Sequence, residues 1–429
     1  MDSQKIKNIP GPDTISTFTL ENGATILSFS NFNSRSIYMI GILNGGGVLD
    51  PSKKTGLAHF TASLLSRGTK NLSFSDFHSQ LESAGANLVF SCGSQHAWFK
   101  GKALAEDAEL LFRLSSDSLR NPSFNREYIG RLRNQLLASL TIRDQDTSEM
   151  ASLLLDRYLF PDHPYGQPID GYIEIIQSIT RSDIIQFHDQ VYSPADMIIV
   201  VAGAVDGKEI RNLSEKYFST WKKNTAVQLE NKLVPPPPAN IIRKHKFIKG
   251  KSQVDLLMGC FSPARTSPDY MPVFIGNNIL GQFGLMGRIG KIVRSKSGLA
   301  YYVSSSVGAW SDVGKWEFSA GVNPKNVKKT INLIRKEIDR FVKSHVTDQE
   351  LDNSKSHLIG RMPMSLESNG GLANAILTMQ RFKLGLDYYQ KYTGRIKSIT
   401  AKQILTASKR YLHPDRLIIT SAGPGEEIT

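Results

Sequence analysis

Apolar residues recur along this chain at two different spacings, so helices and strands are both expected and neither dominates. The stretch from Ser75 to Ala84 reads as a helix stopped by Gly85, and the stretches from Asn87 to Cys92 and from Ala97 to Lys102 read as a hairpin around Gly93-Ser94. Leu104, Ala108, Leu111 and Leu114 mark a further amphipathic helix, which Asn121-Pro122 ends. Val327, Ile331, Ile334, Ile338 and Phe341 keep three- and four-residue spacing after Asn323-Pro324, a pair suited to starting a helix. The elements do not alternate strand by helix, so the pattern is α+β.

An internal repeat organises the chain. Ile179-Thr180, Pro194, Ile198-Ile199 and Ala202-Gly203 return 220 residues later as Ile399-Thr400, Pro414, Ile418-Ile419 and Ala422-Gly423. Each copy reads as an amphipathic helix, a proline turn and a short apolar strand. Two similar domains are therefore expected, residues 1–232 and 241–429. Between them Pro235 to Pro238 form a run that can continue neither helix nor sheet, so residues 233–240 are read as an extended linker.

Length supports the same division, because 429 residues with 40% hydrophobic content exceed one ordinary core. No run of apolar residues is long enough to span a membrane. The first residues lack the apolar stretch of a signal peptide, so a cytoplasmic location is expected, or a periplasmic one if a leader has been trimmed. Cys92 and Cys260 lie far apart in strand-like runs and are expected to be buried thiols. The net charge of +13 changes the picture more. Arg243, Lys244, Lys246, Lys249 and Lys251 crowd one short stretch, which suits either a nucleic-acid surface or an edge strand guarded by lysines. The chain shows no helix-turn-helix, zinc-finger spacing or stacking motif, so the guarded edge is preferred and no nucleic-acid partner is expected.

The segment Gly56-Leu57-Ala58-His59-Phe60-Thr61-Ala62-Ser63 resembles the helix of the insulinase/pitrilysin family, which carries the inverted zinc signature His-x-x-Glu-His. Here only His59 is kept. Ala62 stands at the glutamate position, Ser63 at the second histidine, and Ser139, 76 positions later, at the family's third ligand. A lone imidazole does not make a catalytic zinc site, so no metal is expected in this chain. Phe160-Pro161-Asp162-His163-Pro164-Tyr165-Gly166, Leu366 to Ala373 and Tyr411 to Leu417 carry the resemblance along nearly the whole sequence. His163 is read as a loop residue that fixes backbone. The family fold implies two homologous domains, each a mainly antiparallel sheet packed with helices.

Arg294-Ser295-Lys296-Ser297-Gly298-Leu299-Ala300-Tyr301 matches the family's pattern of an arginine and a tyrosine seven residues apart. In the family such residues bind substrate carbonyls and stabilise the tetrahedral intermediate, which a guanidinium and a phenol can do by donating hydrogen bonds. The resemblance thus implies a non-catalytic subunit that lends Arg294 and Tyr301 to a zinc site on a homologous partner with an intact His-x-x-Glu-His motif, acting on peptide. The alternatives are an inert scaffold, or a homodimer that binds peptides without cutting them. Gly284, Leu285 and Met286, in the loop before Arg294, are expected to contact substrate. Asn44-Gly45-Gly46-Gly47-Val48 corresponds to the family's substrate-pairing sheet edge and otherwise reads as a flexible turn.

Overall fold

A computed structural model describes residues 9–223, 234–282 and 286–425. The chain forms two compact units, Met1–Leu140 with Pro168–Asn231 and Met362–Lys391, and Thr141–Gln167 with Lys232–Arg361 and Tyr392–Thr429. They are not simply the two sequential halves. The segment Thr141–Gln167 joins the later unit and Met362–Lys391 joins the earlier one. Residues 234–241 carry neither helix nor strand.

The first unit holds six strands: β1 (Ile15–Thr19), β2 (Thr25–Ser30), β3 (Ser36–Asn44), β4 (Asn87–Cys92), β5 (His96–Leu104) and β6 (Ile198–Gly203). Their order is β1-β2-β6-β3-β5-β4, and every pair is antiparallel except β2 with β6. The second unit repeats the plan with β7 (Ile242–Phe247), β8 (Val254–Ser262), β9 (Ala300–Ala309), β10 (Gly314–Val322) and β11 (Ile418–Gly423). Its order is β7-β11-β8-β10-β9, and only β7 with β11 is parallel. The architecture is α+β with two mixed, mainly antiparallel sheets.

The repeated sequence segments land on equivalent places. Thr180 and Thr400 each close a capping box, with Asp183 and Gln403, at the start of helices Arg181–Val191 and Ala401–Tyr411. β6 and β11 each end in a glycine with φ 145°. A Cβ at Gly203 would lie 2.3 Å from the Ser36 carbonyl oxygen, and one at Gly423 would lie 2.5 Å from that of Gln253. Only glycine lets the strand end so close to its neighbour.

Each sheet has a helix on one face drawn from the exchanged segment. Asn369–Arg381 packs on β6 and β3 of the first unit, and Thr147–Leu159 packs on β11 and β8 of the second. Asn369 Nδ2 donates to the Ser36 carbonyl at 2.8 Å, and Thr420 Oγ1 donates to the Ala151 carbonyl at 2.8 Å. Lys315 on β10 reaches Asp156 of the Thr147–Leu159 helix at 2.6 Å and Glu317 at 2.9 Å. The two cores are mainly apolar, with Phe60, Phe77, Phe99 and Phe112 buried in the first and Trp316, Phe318, Ile338 and Phe341 in the second.

Most local expectations match, with limited shifts. The helix near Ser75 runs Phe74–Ser83, and Gly85 after it has φ 57°. Leu104 ends β5 and is not part of the following helix, which runs Ala108–Arg120. Both cysteines are buried free thiols. The basic run is β7, an edge strand of its sheet.

Candidate functional site

His59 is the third residue of helix Leu57–Leu64 and is half-buried beside buried Ala62 and half-buried Ser63. Burial lowers its pKa, against a partial opposing pull from Asp170. Ser139 is exposed on helix Arg126–Arg143. From that helix Arg133 lies over the Phe60 ring at 5.7 Å and donates to the Ile176 and Ile179 carbonyls. Two hydroxyls, a methyl and one imidazole do not fit a zinc ion that needs three nitrogen, sulfur or carboxylate ligands. Among the described residues no group of three or more His, Cys, Asp or Glu side chains is placed to hold a metal.

What supports this helix is Asp50. Its two carboxylate oxygens accept the N–H groups of Gly56 at 2.6 Å and Ala58 at 2.7 Å, which the helix start otherwise leaves unpaired. Burial pushes the Asp50 carboxyl up to about 7 despite these two bonds. The glycine run before it is not a flexible turn and not an edge. β3 lies between β6 and β5, and the free edges of the sheet are β1 and β4. The Gly47 and Val48 N–H groups donate to the Gly93 and Ser94 carbonyls, and a Cβ on Gly46 would lie 2.2 Å from the Gln95 carbonyl carbon. Close approach to the β4–β5 turn explains these glycines.

The second unit brings Arg294 and Tyr301 near one another in the chain by an irregular route. Arg294 sits on a π-helical segment, Gly290–Lys296, and the chain then turns through Gly298 (φ 60°) into β9. β9 is the edge strand of its sheet, and its pairing with β10 slips at its start: Gly321 faces Tyr302 while Val322 faces Ala300. Tyr301 is the extra residue of this bulge, and bulges re-aim side chains. The residue is 68% exposed. Arg294 is exposed as well, and among the described residues neither side chain makes a hydrogen bond or ion pair.

Its neighbour Tyr302 has the opposite surroundings. Tyr302 Oη donates to Asp255 Oδ1 at 2.6 Å, and Asp255 also accepts from Gln253 at 2.9 Å and from Thr147. Burial and the Asp255 carboxylate raise the pKa of Tyr302.

Two further groups hold this segment. Arg288, buried just before it, makes a forked bond to Glu350, Nε to Oε1 at 2.8 Å and Nη2 to Oε2 at 2.7 Å, and reaches Glu337 at 3.4 Å. The Arg288 bond holds Glu350 down at about 2. On the other side of the loop, Asn277 Oδ1 accepts from Trp316 Nε1 at 2.9 Å and from Ser305 Oγ at 2.6 Å. These partners are 28 to 62 residues apart, and no short motif announces them. Of the loop residues expected to contact substrate, Gly284 and Leu285 lie outside the described residues, and Met286 is 62% exposed. His163 does fix its loop: its Nδ1 accepts the Tyr165 N–H at 3.2 Å, while Tyr165 stacks on Trp310 at 4.4 Å.

Two family descriptions match the chain, "Insulinase (Peptidase family M16)" over residues 26–171 and "Peptidase M16 inactive domain" over residues 178–358. An uncharacterized zinc protease of Streptomyces coelicolor is 26% identical over 378 residues, covering 86% of this chain and 81% of that protein. The mitochondrial-processing peptidase subunit beta of Saccharomyces cerevisiae is 26% identical over 384 residues, with the same coverage of 86% and 81%. In fold, the chain matches a peptidase M16 inactive domain from Pseudomonas fluorescens with a TM-score of 0.89 at 24% identity, covering 97% of this chain and 99% of that one. Because the two family models together span most of the sequence and the two-sheet fold is shared from end to end, the chain belongs to the insulinase (M16) peptidase family.

Proposed function

We propose that this chain is the zinc-free subunit of a two-subunit peptidase, in which Arg294 and Tyr301 meet the peptide carbonyl under attack at a zinc site on a homologous partner carrying His-x-x-Glu-His. The observation that carries this reading is the bulge at the start of β9, which leaves Tyr301 exposed and unbonded while Tyr302 is engaged by Asp255. A side chain held largely at the surface by a backbone irregularity suits a group whose partner comes from outside. Arg294 and Tyr301 then donate hydrogen bonds to the oxygen that gains charge in the transition state. The loss of the zinc positions supports a supporting rather than a hydrolytic role, and the yeast relative is by its name one subunit of a peptidase.

The test begins with the native complex. Tagged chain purified gently should bring down a companion of similar size that carries the intact motif. In that complex Arg294→Ala should lower kcat/KM by about 10²-fold, the scale of losing one oxyanion donor. A chain that comes out alone, or a rate unchanged by the substitution, would overturn the proposal in favour of a scaffold or a peptide-binding homodimer.

A further inference from the structure

The segment that carries Arg294 is basic, and Asp255, the acid bonded to β9, is taken up by Tyr302, Gln253 and Thr147. From Leu256 to Ser311 the sequence has a single acid, Asp269, and its carboxylate is held by Arg410 at 2.7 Å. The same stretch has Arg288 buried on its two glutamates, and then Lys291, Arg294 and Lys296, all exposed on the segment Gly290–Lys296. The elements packed on that segment are β9 and helix Val327–Lys343. β9 has no charged residue. The acids of the helix are already engaged, Glu337 by Arg288 and Arg340 and Asp339 by Lys343. Among the described residues, then, Lys291, Arg294 and Lys296 are exposed on the segment that leads into the strand carrying Tyr301, and none makes an ion pair.

Solvated lysines are ordinary on protein surfaces, but two other helices pair exposed charges along one face. Arg211 meets Glu215 and Arg131 meets Glu127, each one turn away. The segment beside Tyr301 lacks such pairs, so its positive potential is left for whatever approaches. We infer that it recognises acidic peptides, with Lys291 and Lys296 receiving aspartate or glutamate side chains that flank the carbonyl presented to Arg294 and Tyr301. This deepens the proposed function and rests on it for the position of the carbonyl, though the acid preference itself needs only this chain.

The experiment uses the full chain alone and two labelled extended peptides, one rich in glutamate and the other its glutamine-for-glutamate isostere, read by fluorescence anisotropy. The glutamate peptide is expected to bind about tenfold more tightly at low ionic strength, with the difference shrinking as salt shortens the Debye length. The double variant Lys291→Gln, Lys296→Gln should lose most of that preference. The variant Lys246→Gln, Lys249→Gln removes the same charge from β7 and the turn after it, and should keep it. Equal affinity for the two peptides overturns the inference. So does an equal loss in both variants, since that shows only the effect of net charge. If Arg294→Ala leaves turnover of the complex unchanged while the acid preference holds, the catalytic proposal falls and acid-selective peptide binding stands.

Discussion

Tyr301 and Tyr302 are chemically identical neighbours with opposite surroundings, and their contrast gives a direct test at the scale of single residues. Tyr302→Phe removes one of the donors to buried Asp255, and should lower stability by about 1–3 kcal/mol, read as a shift in the urea midpoint. Tyr301→Phe breaks no hydrogen bond among the described residues. It should leave the midpoint in place and lower turnover of the complex about tenfold or more. Equal stability losses for the two variants would contradict the assignment of the bulge. Asp50 offers a pH test. Its folded pKa is raised, so its protonation contributes stability that is fully present below about 4 and lost as pH rises through about 7. Asp50→Ala should therefore destabilise the chain more at pH ~5 than at pH ~8, by denaturant titration at each pH. A penalty that does not change between the two would show that the carboxyl is ionised throughout.

Among the elements, the Thr147–Leu159 helix is tied to β10 by an ion pair. Lys315 is half-buried between Asp156 of this helix and Glu317 of β10, and desolvation raises the pKa of Asp156 while the lysine opposes it. Breaking such a group leaves two carboxylates without their cation. Lys315→Ala should cost about 1.5–3 kcal/mol, whereas Lys343→Ala, on an exposed pair, should cost under about 1 kcal/mol. Thermal unfolding of the two variants makes the comparison. The edge strand β7 shows a different use of charge. Arg243 and Lys246 are exposed along it, and lysines on a free edge oppose pairing with another sheet.

For the whole molecule, the exchange of segments sets what can fold alone. A fragment of residues 241–429, cut after the proline run, lacks the Thr147–Leu159 helix and bares the face of β8 and β11 that it covers. Gly259 on β8 lies so close to Leu155 that a Cβ there would be 2.9 Å from that side chain, so the face is shaped for this helix. The fragment should bind a hydrophobic dye and lack a cooperative transition, and a peptide of residues 141–167 added in trans should reverse both. A fragment that melts cooperatively by itself would show that the exchanged helix is dispensable.

Much of this was readable from the chain. The period of the hydrophobic residues located the helices and strands, because burying one face requires it. The 220-residue repeat marked the paired strands β6 and β11 with their capped helices, since the same backbone problem has the same residue solution twice. The loss of three motif positions was likewise a matter of side-chain identity, at Ala62, Ser63 and Ser139, with His59 alone kept. Which helix covers which sheet was not readable, because a stripe of apolar residues says that a face is buried and not against what. The glycines after β3 were misread for a related reason: their need for a close neighbour is visible only once the β4–β5 turn is beside them. Spacing could align Arg294 with Tyr301, but only the slipped register of β9 on β10 determined that Tyr301 faces outward and Tyr302 meets Asp255, because register depends on long-range pairing that no local pattern encodes.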